Sequence, residues 1–195
     1  MSNNPVLEAT GFLVDEKPYC VWEWDLKKRN LDFISALNPA YFRFMAETFV
    51  EELGGDKNLK AALSLRTAYS HALEAFIALV GSTIQAPDCV PGWLLKYYQD
   101  DLENVARKLN NGYGLATKLK LNPVDWTALS EVITSPVKFD TEEKRRWVID
   151  GFARVWTLFA HDILNEQFYT EYNNIKHGFR VSLGGFTIAV GEEKA

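Results

Sequence analysis

Cysteine and histidine are scarce in this chain of 195 residues, which has two cysteines and three histidines. Cys20 and Cys89 lie far apart and no CxxC pair occurs, which argues against both a disulfide framework and a cysteine zinc site. His71, His161 and His177 lack the Glu-x-x-His units with which helical bundles bind metal ions. We therefore expect the protein to need no metal and no other cofactor.

Long apolar runs and an excess of positive charge are also missing. No apolar run approaches the ~18 residues of a membrane-spanning helix. The formal net charge of −5 argues against a surface that coats nucleic acid, although a local basic patch remains open. Residues 1–5 show neither the basic nor the apolar part of a secretory signal. From these absences we expect a cytoplasmic protein that does not contact a membrane.

Apolar residues are abundant, at 47% of the chain, and most recur every three or four positions, which predicts α-helices. The first helical pattern begins at Asn38-Pro39, where Asn suits the N-cap and Pro the first helical position. The further patterns cover residues 58–85, 91–109, 122–135 and 140–177. We expect the last pattern to be one long helix with a bend at Gly151.

Strand-like patterns occur only near the two ends of the chain. Residues 1–37 are rich in aromatic residues around Trp22, and we expect them to form an extended N-terminal arm. Two alternating runs flank Gly184-Gly185, which predicts a β-hairpin over residues 179–191. The expected fold class is all-α, an up-down bundle of four to five helices over residues 38–178 with this hairpin packed on it.

The densest group of polar side chains lies at the end of the last helical pattern, in the run Tyr-Asn-Asn-Ile-Lys-His-Gly at 172–178. Asn173 and His177 are four residues apart and share a helix face. Gly178 suits the left-handed position just after a helix end. His177 is therefore either a residue that caps the helix or a general acid/base that Asn173 orients.

A second candidate group lies in the pattern at 58–85, where Arg66 precedes His71. An arginine that binds a phosphate and a histidine that transfers a proton are sufficient for metal-independent RNA cleavage, in which the RNA supplies its own 2′-hydroxyl. The alternative is a buried, hydrogen-bonded His71 and an Arg66 paired with an acidic neighbour. The sequence leaves both alternatives open.

The long helices, the run His-Ala-Leu-Glu-Ala-Phe at 71–76 and the run at 172–178 together resemble HEPN-like bundle proteins, the higher-eukaryote and prokaryote nucleotide-binding domains. The resemblance covers about residues 39–178. It implies a four- or five-helix bundle that forms a homodimer. Many members of that family are metal-independent RNases of toxin, phage-defence or RNA-processing systems, and their motif is an Arg, a polar residue and a His.

Two functions follow from the resemblance. Asn173 and His177 match the polar residue and the His of the motif, but the Arg position falls on Tyr172, which cannot hold a phosphate as a cation does. The first function is a noncatalytic binding or dimerisation module in a defence or stress-response system. The second is an RNA-cleaving or nucleotide-binding protein. Its candidate catalytic residues are His177, Asn173, His71 and Arg66, and its candidate RNA contacts are Lys176, Arg180, Tyr172 and Asn174.

Overall fold

A computed structural model describes residues 7–14, 17–176, 181–182 and 186–187 of the protein. In chain order they form β1 (Glu8–Val14), β2 (Lys17–Glu23), α1 (Leu26–Ala36), α2 (Ala40–Val50), α3 (Asn58–Gln85), α4 (Val90–Leu94), α5 (Gln99–Asn111), α6 (Trp126–Thr134), α7 (Glu142–Ile163), α8 (Glu166–Lys176), β3 (Val181–Ser182) and β4 (Phe186–Thr187). The predicted helical character is confirmed. The up-down arrangement of the helices stays a prediction.

The chain folds into two compact units, each made of two separate stretches of sequence. Unit 1 comprises residues 1–37 and 74–164, and unit 2 comprises residues 38–73 and 165–195. The long helix α3 contributes its first part to unit 2 and its second part to unit 1.

Unit 1 begins with an antiparallel hairpin of β1 and β2, in which Phe12 pairs with Tyr19. Its side chains alternate, so that Phe12 and Val14 are buried and Leu13 is exposed. The predicted extended arm is wrong for residues 26–36, which form α1. The helix begins there because the Asp25 carboxylate accepts a hydrogen bond from the backbone N–H of Lys28 at 3.3 Å.

The core of unit 1 is built around the fully buried Trp93. Phe12 and Tyr97 each meet its ring edge-on, with centroid distances of 4.7 and 4.9 Å. The Tyr97 hydroxyl donates a hydrogen bond to the Gln85 side chain at 2.9 Å. Position 81 requires a glycine, because a Cβ there would overlap the Tyr97 hydroxyl. Burial raises the pKa of Tyr97.

Polar side chains accompany the division of one predicted helix and the later start of another. The pattern at 91–109 divides into α4 and α5, and the Asp101 carboxylate accepts from the backbone N–H of Tyr98 at 2.8 Å where α5 begins. The helix predicted from residue 122 begins instead at Trp126, because Asp125 accepts from the backbone N–H of Ala128 at 2.8 Å.

The long helix predicted over residues 140–177 is also two helices. Asn165 separates them, since its side-chain oxygen accepts from the backbone N–H groups of Gln167 and Phe168 at 3.0 and 3.2 Å and so caps α8. Gly151, where a bend was predicted, lies within α7, which is helical from Glu142 to Ile163; the bend stays a prediction. The break places α7 in unit 1 and α8 in unit 2.

Unit 2 contains α2, the first part of α3, α8 and the short C-terminal hairpin. α8 buries Phe168 and Tyr172, and the Phe168 ring meets Tyr69 of α3 edge-on at 5.7 Å. α2 buries none of its residues. In the hairpin Val181 pairs with Thr187, so the C-terminal hairpin predicted from the sequence is confirmed at these residues.

Candidate functional site

Arg66, on α3, is held by two contacts from α8. Its guanidinium donates to a Glu171 carboxylate oxygen at 3.0 Å, and its central carbon lies 3.6 Å from the centre of the Phe168 ring. The other oxygen of Glu171 accepts from the Gln167 side chain at 3.2 Å. Since this carboxylate neutralises the guanidinium and the ring covers one of its faces, Arg66 is poorly placed to bind a phosphate.

His71 lies further along the same helix and is exposed. Its ring meets that of the buried Tyr172 edge-on, with the centroids 5.5 Å apart. The expected alternative of a core histidine is therefore wrong for His71, whereas the expected pairing of Arg66 with an acidic neighbour is observed.

Lys176, in the last turn of α8, reaches the same aromatic ring. Its ammonium nitrogen lies 5.5 Å from the centre of the Tyr172 ring, and the side chain is otherwise exposed. An imidazole and an ammonium group thus converge on one buried tyrosine from two helices. Such a pair could contact an anion that approaches this part of unit 2.

The two asparagines of α8 are half-buried. Asn174 lines a shallow depression of about 350 Å³, together with Glu166, Gln167, Thr170 and Glu171. The described lining includes no cation and adds the carboxylate of Glu166, so this depression does not suit a phosphate group. Asn173 is one residue nearer Tyr172 along the chain, and the catalytic role predicted for it depends on His177.

His177 and Arg180 lie outside the described residues. The catalytic role predicted for His177 and the phosphate contact predicted for Arg180 therefore stay predictions. The structure does bring Arg66, His71, Tyr172 and Lys176 into unit 2, two on α3 and two on α8.

Two partners of this group were missed in the sequence, namely Phe168 and Glu171. Glu171 is 105 residues from Arg66 along the chain, and no local spacing rule connects the two. The only sequence signal was that Glu171 comes directly before the polar run at 172–178.

The described part of the chain shows neither a cluster of metal ligands nor a helix suited to cross a membrane. No group of three or more His, Cys, Asp or Glu side chains there could hold a metal ion. Within the same residues, no helix combines the length and apolar character needed to cross a membrane.

Comparison of the chain with protein-family models, with curated proteins and with solved structures finds no match. The resemblance to HEPN-like bundles therefore rests on the residue runs at 71–76 and 172–178 and on the helical character of the chain.

Proposed function

We propose that this protein is a HEPN-like binding module without catalytic activity, and that it associates with a second copy of itself. The observation that carries the proposal is the state of Arg66. Metal-independent RNA cleavage needs a cation that stabilises the charge developing on the phosphate. In unit 2 the guanidinium of Arg66 is already paired with Glu171 and stacked on Phe168.

Exposed aromatic side chains support the binding part of the proposal. Trp147 of α7 is 76% exposed and Phe44 of α2 is 66% exposed. Large exposed aromatic side chains on helices are typical of surfaces that bind another protein. Binding is favourable because the partner removes these side chains from water. A helical module with such side chains and a neutralised arginine suits association better than phosphate chemistry.

Two measurements test the proposal. The purified protein and its His71→Ala and His177→Ala variants are incubated with total RNA in EDTA, and we expect equal, background-level cleavage from all three. Light scattering after size exclusion should give about twice the chain mass of 22.2 kDa at protein concentrations around 100 μM, a range in which weak protein associations form. Cleavage that both histidine variants lose would contradict the absence of catalysis, and a monomer would contradict self-association.

A second candidate function, binding of RNA or a nucleotide with or without cleavage, is favoured by His71 and Lys176. Both side chains are exposed and both reach the ring of Tyr172. In this alternative they contact a phosphate, and His177 with Asn173 supplies the acid/base chemistry. Titration of the protein with a nucleoside monophosphate tests it, since the His71 imidazole NMR signals should move in the wild type and the binding should weaken in Lys176→Ala.

A further inference from the structure

The outward face of α7 carries an apolar seam that no described part of unit 1 covers. The helix buries Ile149, Ala153, Trp156, Ala160 and Ile163 on one side. On the opposite side lie Trp147, Gly151, Arg154 and Leu158, which we call the outer seam. Trp147 is 76% exposed and Leu158 is 59% exposed. The seam thus presents large apolar side chains to solvent at both of its ends.

The spacing of the outer seam is that of paired helices. Its residues follow one another at intervals of four, three and four, which is the alternation of a and d positions in a heptad. Beyond its ends the same stripe continues with Lys144 and His161, which are polar and limit the seam to about three helical turns. A short seam of this kind suits a single helix from a partner.

Gly151 is unexplained by the fold of unit 1. A Cβ at this position would meet no atom within 4 Å, so the fold leaves room for a larger residue. A glycine inside an exposed helix makes the helix less stable than an alanine would. A close approach of another chain to the backbone would give this glycine a role.

Arg154 and Asp150 flank the glycine and have opposite charges. Both are exposed, and neither makes an ion pair with another residue among those described. They are four residues apart on the same helix. An Asp followed by an Arg at this spacing, unpaired on the helix, leaves each side chain available to a partner helix.

We propose that two copies of this chain pair in antiparallel orientation along the outer seam. A two-fold axis between positions 151 and 154 places Trp147 against the partner's Leu158, and Leu158 against the partner's Trp147. Arg154 then lies over the partner's Gly151, where no side chain obstructs it. The partner's Asp150 is adjacent in sequence to that glycine, and its carboxylate accepts hydrogen bonds from the Arg154 guanidinium.

The charges select the antiparallel orientation and a second copy as the occupant. In a parallel pair Arg154 would face the partner's Arg154, and like charges at that position repel. In the antiparallel pair each arginine meets a carboxylate, and the two Trp–Leu contacts are identical by symmetry. The seam is therefore complementary to itself, as an interface between identical chains must be.

The inference rests on the self-association proposed above and adds the surface and the orientation. Sedimentation equilibrium gives the dimer dissociation constant of the wild type and its variants. We expect Trp147→Ala to raise the constant about 1,000-fold, since an anchoring tryptophan commonly contributes about 2 kcal/mol and the variant removes it from both copies. Leu95→Ala is the matched control, because Leu95 is 86% exposed in the same unit but lies outside α7. The dimer dissociation constant of Leu95→Ala should stay within about threefold of the wild-type value.

A charge exchange tests the register. Asp150→Arg and Arg154→Asp should each weaken the dimer about 10-fold, and the double variant should return to within about threefold of the wild type. Circular dichroism at low concentration confirms that each variant folds. Rescue by the double variant supports the reciprocal pair, whereas additive weakening overturns it.

Cysteine cross-linking tests the orientation in a Cys20→Ser background. Antiparallel pairing predicts an interchain disulfide when Lys144→Cys and His161→Cys, at the two ends of the stripe, are combined, and little from Lys144→Cys alone. A disulfide that forms as readily in the single variant would indicate parallel pairing and overturn the proposal. A dimer that none of the α7 variants weakens would overturn the outer seam while self-association stands. A wild type that is monomeric at all concentrations would overturn both.

Discussion

The two contacts of Arg66, with Glu171 and with Phe168, can be tested most directly by replacing the arginine. Replacing it in Arg66→Met removes the ion pair with Glu171 and the contact with Phe168 while keeping an apolar side chain of similar length. The side chains of the ion pair are 35% and 42% exposed, so solvent screens it and we assign it about 0.5 kcal/mol. The guanidinium over the ring at 3.6 Å adds about 1 kcal/mol.

The expected loss is therefore about 1–2 kcal/mol of the free energy of unfolding. For a chain of this size each kcal/mol lowers the midpoint of thermal unfolding by about 2–4 °C, which gives a fall of roughly 2–8 °C. Thermal unfolding followed by circular dichroism at about 0.1 M salt measures this fall in the midpoint. A double-mutant cycle with Glu171→Gln separates the ion pair from the ring contact, since only the first contribution is lost in Glu171→Gln.

Arg43→Met is the matched control. Arg43 also lies in unit 2 and pairs with Glu47 at 2.7 Å, but the two side chains are 79% and 60% exposed. We expect a change within about 0.5 kcal/mol. If Arg66→Met melts like the wild type yet binds RNA or nucleotide less tightly, Arg66 is a ligand contact, and the reasoning that its charge is neutralised within the fold is refuted.

Three further predictions concern unit 1. Gly81→Ala should destabilise the protein by about 1–3 kcal/mol in denaturant unfolding, because the new Cβ overlaps the Tyr97 hydroxyl; unchanged stability would contradict the packing described. Burial raises the pKa of Tyr97 above its ordinary value of 10.0, so the unfolded chain loses this proton first and stability should decline as the pH rises beyond that value; Tyr97→Phe should flatten the decline. Cys20 is exposed, whereas Cys89 is buried and burial raises the pKa of its thiol; a thiol reagent at pH 8 should therefore label Cys20 much faster, and equal rates would contradict the burial of Cys89.

The long periodic patterns of apolar residues correctly predicted where helices occur. Single polar residues determined where those helices ended. The range of α3 was predictable because its apolar residues recur over 28 residues without interruption. The break before α8 was not, because Asn165 stands within an apolar pattern that continues on both sides of it. Its capping hydrogen bonds to Gln167 and Phe168 appear only once the local backbone is known. Helix patterns therefore fix the presence of a helix more firmly than its ends.

The candidate site was predictable in its parts but not in its connections. The spacing rules selected Arg66 and His71 on one helix and Tyr172 and Lys176 on another. They did not reveal that Glu171 would neutralise Arg66 or that Tyr172 would be buried beneath His71. Those contacts join positions about a hundred residues apart, and tertiary packing alone determines them.

The interleaving of the two units along the chain has a practical consequence for dissecting the protein. Because unit 2 takes residues 38–73 and 165–195, a fragment that stops at Leu164 loses α8, and Tyr69 and His71 then lose their ring contacts with Phe168 and Tyr172. A fragment that starts at residue 74 deprives unit 1 of its hairpin, and with it of Phe12 against Trp93. Deletion mapping by simple truncation would thus expose apolar residues of whichever unit it was meant to isolate, and point substitutions in the intact chain are the sounder way to assign activity to either one.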